Sequence, residues 1–324
     1  MKAIVQDVYG AADVLQLREI ARPVPGDGEV LIRVRAAGVD QGVWHLMTGL
    51  PYLIRLFGYG LRKPKTPVRG REVAGVVEAV GAGVSRFTVG DEVYGTCEGS
   101  FAEYVCGRED KLARKPVNLS FEEAAAAPIS AVTALQAVRD AGEGTVGQKV
   151  LVIGAGGGVG SFAVQLAKAF GAEVTGVCST GKMDLVRSLG ADAVIDYTNS
   201  DIASGGKLYD VILDTAGNRP LSVLRRVLAP QGTLVIVGGE GGGTLTGGFE
   251  RSIGAPFASL FTRQKFKGLV SKETHLDLEA LSSLIEAGSV KPAVDKVFPL
   301  EEAPAAVRYL HEGRSRGKVV VGVS

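Results

Sequence analysis

Residues 154–160 read Gly-Ala-Gly-Gly-Gly-Val-Gly. They follow an apolar run, Lys149 to Ile153, and precede an amphipathic one, GSFAVQLAKAFG. The spacing G-x-G-x-x-G is not met, because its last glycine would fall on Val159. G-x-x-G-x-x-G is met, at Gly154, Gly157 and Gly160. A turn without side chains lets backbone N–H groups approach a pyrophosphate, and the helix that follows aims its positive end at the same anion. Gly154, Gly156, Gly157, Gly158, Val159 and Gly160 are therefore candidate dinucleotide contacts. A merely flexible turn is the alternative. The next apolar run, Glu173 to Cys178, selects among dinucleotides. A site for NAD(H) usually ends this strand with an acid for the ribose 2′-hydroxyl. Here the run ends in Ser179-Thr180-Gly181-Lys182. A hydroxyl and an ammonium suit a 2′-phosphate. Ser179 and Lys182, with Tyr197 after the following strand, favour NADP(H) over NAD(H).

A second set lies between residues 40 and 60. Asp40, His45, Tyr52 and Tyr59 stand in a stretch rich in aromatic, glycine, proline and basic residues. The ordinary pKa range of histidine suits proton transfer near neutrality, which makes His45 a candidate. It reads equally as a structural histidine bonded to backbone. Tyr52 and Tyr59 read as donors or as packing of an apolar lid. Trp44 offers a stacking face or fills a core. Asp40 either orients His45 or caps the turn that follows it. The stretch shows no clean periodicity and reads as a long functional loop.

The elements that must position these residues change rhythm along the chain. Up to about residue 120, short β-branched runs alternate with Gly, Pro and Asp, as in KAIVQDV and EVLIRVRAAGV. From about 121 to 270, apolar strands alternate with amphipathic helices, the signature of βαβ units and a parallel sheet. The tail holds two helices and a last strand, KVVVGV, whose sheet the pattern does not choose. With 324 residues, two domains are comfortable. Lys and Arg total 36 and Asp and Glu 35, which argues against a nucleic-acid face or a polybasic membrane patch. Three cysteines without C-x-x-C spacing exclude a disulfide framework. The longest uncharged run, Val150 to Ala167, is broken by five glycines and reads as strand, turn and helix rather than a membrane span. The N-terminus reads as a strand, not as a signal peptide. These features point to a cytoplasmic protein. Arg251, Arg263, Lys265 and Lys267 alternate with Phe249, Phe257, Phe261 and Phe266, which reads as an amphipathic helix.

Several stretches together resemble the medium-chain dehydrogenase/reductases, in their zinc-free quinone oxidoreductase (zeta-crystallin-like) branch. They are AAGV at 36–39, GREVAGVVEAVGAGVSRFTVGDEVYG at 70–95, AAAAPISAVTALQAV at 124–138, VLVIGAGGGVGSFAVQLAK at 150–168, LVRSLGADAVIDY at 185–197 and RGKVVV at 316–321. The resemblance implies an α/β protein: a GroES-like β-rich catalytic domain (1–122 and 290–324) and a Rossmann doubly wound parallel sheet (123–289), with the nicotinamide in a cleft between them. It assigns the last strand to the first domain and implies a homodimer joined through the Rossmann sheets. It implies cofactor contacts at Thr133, Ala216, Val237 and Gly238. Lys318 and Arg314 are further candidates, for which a surface role is the better reading.

His45 stands where relatives place a tyrosine or a relay histidine, and Tyr52 near a second active-site tyrosine. In the zinc branch, the metal is held by a first-domain Cys, the His of a Gly-His-Glu motif, and a Cys or Asp before the Rossmann domain. Here those positions read Asp40, Arg71 (in Gly70-Arg71-Glu72) and Ile129. Arginine and isoleucine cannot ligate zinc, so no metal is expected. The implied activity is NADPH-dependent hydride transfer to a quinone or an α,β-unsaturated carbonyl. The alternatives are an NAD(P)-dependent alcohol or carbonyl dehydrogenase lacking zinc, and a low-turnover NADPH-binding structural or sensor protein.

Overall fold

A computed structural model describes residues 1–143, 146–217, 219–238, 243–248, 251–252, 254–255, 259 and 262–323. Phe249, Phe257 and Phe261 of the expected amphipathic helix lie outside these residues. The chain divides into two units: 1–132, 273–288 and 292–324 form unit 1, and 133–272 with 289–291 form unit 2.

Unit 1 begins with an antiparallel pair, β1 (Lys2–Val5) and β2 (Gln16–Glu19). Its main sheet is built on β3 (Glu29–Val39), β4 (Glu72–Val80), β5 (Glu92–Thr96), β6 (Tyr104–Arg108) and β7 (Leu112–Arg114). The order β3-β4-β5-β7 is antiparallel throughout, and β6 pairs with β3. In β3, Val30, Ile32, Val34, Ala37 and Val39 face one core with Val73, Val77, Phe101 and Leu112.

The stretch after β3 is not the uniform loop expected from its lack of periodicity. Helix α1 covers Gln41–Thr48. Asp40 caps its first turn, Gly49 ends it in the left-handed region at φ 65, and Val43, Leu46 and Met47 are buried along one side. Caps at both ends make a short helix stable where the apolar pattern is too brief to show it. A single wide helical turn, Arg55–Tyr59, follows.

Unit 1 also holds α2 (Phe121–Ala125) and the start of α3 (Pro128–Leu135). Ser120 and Glu123 close a reciprocal capping box on α2.

Unit 2 carries β8 (Lys149–Ile153), α4 (Gly158–Ala169), β9 (Glu173–Cys178), α5 (Met183–Ser188), β10 (Ala193–Asp196), β11 (Tyr209–Asp214), α6 (Leu221–Val227), β12 (Leu228–Ile236) and β13 (Lys265–Gly268). All six strands are parallel, in the order β10-β9-β8-β11-β12-β13. Both faces of such a sheet are covered, which is why Val150, Leu151, Val152 and Ile153 form an uninterrupted buried run. Counted within the unit, the order is 3-2-1-4-5-6, the doubly wound arrangement. Its direction reverses between β8 and β11, and ligands bind at the carboxyl ends of the strands at such a point.

The tail returns to unit 1. Helix α7 (His275–Glu286) is tied there by the Tyr94 hydroxyl, which donates to the Leu278 carbonyl at 2.6 Å, and by Asn118, which donates to the Ile285 carbonyl. Strand β14 (Val294–Pro299), helix α8 (Ala303–His311) and strand β15 (Lys318–Gly322) follow, and β15 pairs with both β14 and β3.

Candidate functional site

In unit 2 the glycine turn occupies the end of β8, at the reversal point. Gly154 takes φ +83, and its amide and that of Ala155 both donate to the Val177 carbonyl at 3.0 Å. This ties the turn to β9. A Cβ on Gly160 would stand 2.1 Å from the Gly154 carbonyl oxygen, so the helix lies directly on the turn only because that side chain is missing. The ladder of α4 starts with the Ser161 amide donating to Gly157. The amides of Gly158, Val159 and Gly160 precede it and have no acceptor within the helix. They supply the donors and the dipole end that a pyrophosphate needs.

The structure brings the β9 residues to the same turn. A Cβ on Gly156 would meet Lys182 Cβ at 2.8 Å and Cδ at 2.9 Å, so the lysine stem runs across the glycine. Ser179 precedes the turn Thr180–Lys182. Tyr197 donates its backbone amide to the Cys178 carbonyl, while its ring is 53% exposed.

One acid in this neighbourhood is missed when only the end of β9 is read. Asp196 pairs in register with Cys178 on the adjacent strand. Its carboxylate accepts from the hydroxyls of Thr180 and Thr198, the Thr198 amide and Asn199, and these bonds hold its pKa down to about 2. With its oxygens taken by its own loop, Asp196 staples the turn beside β9. The strand order of a doubly wound sheet would have signalled it.

Around β11, Thr215 donates to the Ile153 carbonyl at 2.7 Å, and the amides of Val237 and Gly238 both donate to the Asp214 carbonyl. This gathers Ala216, Val237 and Gly238 at the ends of β11 and β12. The Asp214 side chain, fully buried, accepts from the Gly217 amide and pairs with Arg251 at 2.9 Å. That buried pair was not legible in the sequence, where Arg251 counts among the charges of an amphipathic helix. Thr133 donates to the Ser271 hydroxyl at 2.9 Å.

In unit 1, Asp40 accepts from the Val43 amide at 3.1 Å, the capping role. Its other oxygen is buried and makes no hydrogen bond among the described residues. Asp40 and Arg71 both border Gly42, where a Cβ would lie 2.7 Å from Asp40 Oδ1 and 3.7 Å from Arg71 Nη1. Burial works against the Arg71 charge, yet Asp40, Glu273 and Glu98 around it raise its pKa above the usual arginine value. The nearer contacts are 3.6 Å to Glu98 and 3.9 Å to Glu273.

His45 Nδ1 lies 2.8 Å from the Leu50 carbonyl. A carbonyl only accepts, so Nδ1 carries the proton in this bond. Tyr52 is 49% exposed, with the Arg55 guanidinium 4.7 Å from its ring centre. Trp44 is stacked on His311 at 3.5 Å, which uses a face of the indole within the unit.

Lys318 corrects the surface reading. It is 1% exposed, and its ammonium donates to Glu72 and, at 3.0 Å, to Ser130. Burial pushes the Glu72 carboxyl up to about 7 against the pull of Lys318. Arg314 is exposed and pairs with Glu312.

The metal positions do not fit a metal. The three positions present a capping carboxylate, a guanidinium and an aliphatic side chain. Among the described residues, no group of three His, Cys, Asp or Glu side chains could hold an ion.

A parallel sheet in this order, with a glycine turn and a basic residue at its reversal point, defines a dinucleotide-binding domain. The chain belongs to the medium-chain dehydrogenase/reductase superfamily. Residues 26–117 match the alcohol dehydrogenase GroES-like domain, and residues 189–321 match the family described as zinc-binding dehydrogenase. It is 36% identical to 2-methylene-furan-3-one reductase of Solanum lycopersicum and 35% identical to a chloroplastic NADPH-dependent alkenal/one oxidoreductase of Arabidopsis thaliana, in each case over 99% of this chain and 79% of that protein. A chloroplastic quinone-oxidoreductase of Triphysaria versicolor is 32% identical over 99% of this chain and 98% of its own length. Among solved structures, an NAD-dependent alcohol dehydrogenase matches with a TM-score of 0.85 and 32% identity, over the whole of both chains. No helix among the described residues is long and apolar enough to cross a membrane.

Proposed function

We propose that the chain reduces quinones or α,β-unsaturated carbonyls with NADPH, without a metal ion, as a cytoplasmic homodimer. The observation that carries the reaction class is Arg71. A permanent cation, held among Asp40, Glu98 and Glu273, stands where zinc-dependent relatives would need a neutral ligand. Without a Lewis acid, an electron-poor acceptor is the tractable substrate. Hydride adds to carbon of an enone, or to a quinone, and one proton from a side chain or water completes the product. The relatives named for alkenals, a furanone and quinones act on this class.

NADP(H), when bound, supplies the hydride. The residues fit it. The amides that open α4 face the pyrophosphate, and Lys182 and Ser179 serve the 2′-phosphate. Asp196, already saturated, offers the ribose no acceptor. Thr133, Ala216, Val237 and Gly238 flank the nicotinamide end. In unit 1, His45 exchanges the proton at Nε2 while Nδ1 stays anchored, Tyr52 assists as a hydroxyl donor, and Asp40 holds the helix that carries His45. The three free cysteines fit a reducing compartment.

The test follows NADPH and NADH consumption against ortho-quinones, para-quinones and enones, with a chelator present. Turnover preferring NADPH and indifferent to chelation is expected. Oxidation of alcohols by NADP⁺ with no acceptor reduced would favour the dehydrogenase reading. Tight NADPH binding with no turnover on any acceptor would favour a sensor.

A further inference from the structure

The segment after α1 in unit 1 exposes more apolar surface than its surroundings require. Leu56 is 69% exposed, Phe57 66%, Leu61 65%, Tyr52 49% and Tyr59 37%, all within ten residues of chain. Isolated exposed apolar residues are ordinary, but a run of five large ones marks an interaction surface.

The segment is not a slack loop that failed to find a core. Its backbone is pinned from beneath. The Tyr9 hydroxyl donates to the Tyr59 and Gly60 carbonyls at 2.9 and 2.7 Å, Arg55 Nε donates to the Gly49 carbonyl at 2.8 Å, and the Lys65 amide donates to Tyr59. The chain is held in place while its leucines and phenylalanine point into water.

The charge of the segment is one-sided. Residues 52–66 contain Arg55, Arg62, Lys63 and Lys65 and no acid, in a chain whose net charge is only +1. Arg62, Lys63 and Lys65 are exposed, and none of the three forms a close ion pair among the described residues; the nearest acid, Asp7, is paired with Arg18 and feels the Lys63 charge only at longer range.

We propose that this segment docks unit 1 on the surface of an anionic lipid bilayer, contrary to the expectation of no membrane partner drawn from the balanced net charge, which averages over this local basic run. Leu56, Phe57 and Leu61 reach the acyl boundary, Tyr59 sits at headgroup depth, and Arg62, Lys63 and Lys65 meet the lipid phosphates. An acidic protein surface would complement the cations, but it would leave three long aliphatic and aromatic side chains in contact with charge. A bilayer interface satisfies both halves. The docking is peripheral and reversible, so it needs no membrane-spanning helix, and it does not depend on the reaction proposed above.

The test is flotation of the full chain with vesicles of phosphatidylcholine alone and of phosphatidylcholine mixed with phosphatidylglycerol, at low and high salt. Two double variants, Phe57→Ser/Leu61→Ser and Arg62→Glu/Lys65→Glu, are compared with the control Lys149→Glu. All five positions are exposed, and unchanged thermal melting shows that the variants fold.

Flotation with the mixed vesicles only is expected, weakened by salt, reduced about tenfold or more in each double variant, and retained in the control. Absence of flotation with the mixed vesicles overturns the proposal, as does equal flotation with both vesicles or equal loss in the control. So does a self-association of the wild type that both double variants abolish, because the patch would then be a contact between copies.

Discussion

Glu72 and Lys318, 246 residues apart in the chain, meet as an ion pair with 2.5 Å between Oε2 and Nζ and almost no exposure of either side chain. The other carboxylate oxygen accepts from the Ile129 amide, and the ammonium also reaches Ser130. The pair therefore ties β4, the start of α3 and β15 together inside unit 1. Space around it is closed: a Cβ on Gly38 would lie 2.3 Å from Glu72 Oε2 and 2.4 Å from the Ala125 carbonyl.

A pair of this kind adds little net stability, because both charges leave water, but removing one partner strands the other. Lys318→Met is expected to lower the unfolding free energy by about 3 kcal/mol, and Glu72→Leu/Lys318→Met to recover most of that loss. Denaturant midpoints measure both. The sign with pH follows from Glu72. Burial raises its folded pKa from 4.5 to about 7, so between those values the folded chain holds a proton that the unfolded chain releases. Its effect is to reduce stability as pH rises through that window. Without the lysine the carboxyl is pushed higher still, so the Lys318→Met variant should go on losing stability above pH 7. A pH-independent deficit would contradict this account.

Lys182 gives a cofactor prediction. Its stem crosses Gly156, beside the amides that open α4. A charge-assisted bond to a phosphate contributes about 1.5–3 kcal/mol. Lys182→Ala is expected to raise KM for NADPH about tenfold or more and to leave KM for NADH nearly unchanged. Equal losses with both cofactors would reduce the lysine to general attraction for the pyrophosphate.

How far the sequence carried these conclusions depended on whether a feature was local. The glycine turn, the strand–helix alternation and the basic end of β9 are contiguous stretches, and the sheet is built on them. Helix α1 escaped because eight residues are too few for periodicity, although Asp40 and Gly49, its caps, were in view. The ion pairs of Glu72 with Lys318 and of Asp214 with Arg251 join residues far apart in sequence. A lysine opening an apolar strand looks like a surface residue until β4, two places away in the sheet across β3, supplies its carboxylate. Asp196 lay in plain sight, but only the lateral order of the strands sets it beside β9.

Gly160 tests the closeness of helix and turn. Any side chain there must displace the Gly154 carbonyl, 2.1 Å from the Cβ position. Gly160→Ala should push α4 off the turn and weaken NADPH binding by more than about tenfold, since the helix then no longer presents its first amides to the pyrophosphate. Fluorescence titration of NADPH reads the loss. The α4 neighbour Gly157 is less constrained, with only the Gly154 carbonyl at 3.3 Å from its Cβ position, so Gly157→Ala should weaken binding less.

His45 separates turnover from binding. One ring nitrogen is anchored on the Leu50 carbonyl, and the proton transfer proposed above uses the other. His45→Asn places an amide N–H near the position of Nδ1, so the anchor to Leu50 is kept while the titrating nitrogen is removed. If His45 delivers the product's proton, this variant should lose about 10²-fold or more in kcat, its pH profile near neutrality should flatten, and its NADPH affinity should stay at the wild-type value. His45→Ala removes the anchor as well and should also lower the melting temperature. A purely structural histidine gives the opposite pattern: His45→Asn restores both stability and kcat, and the pH profile keeps its shape. Rate against pH for the two variants, beside NADPH titrations, distinguishes these outcomes, because the anchor engages one ring nitrogen and the proposed proton transfer uses the other.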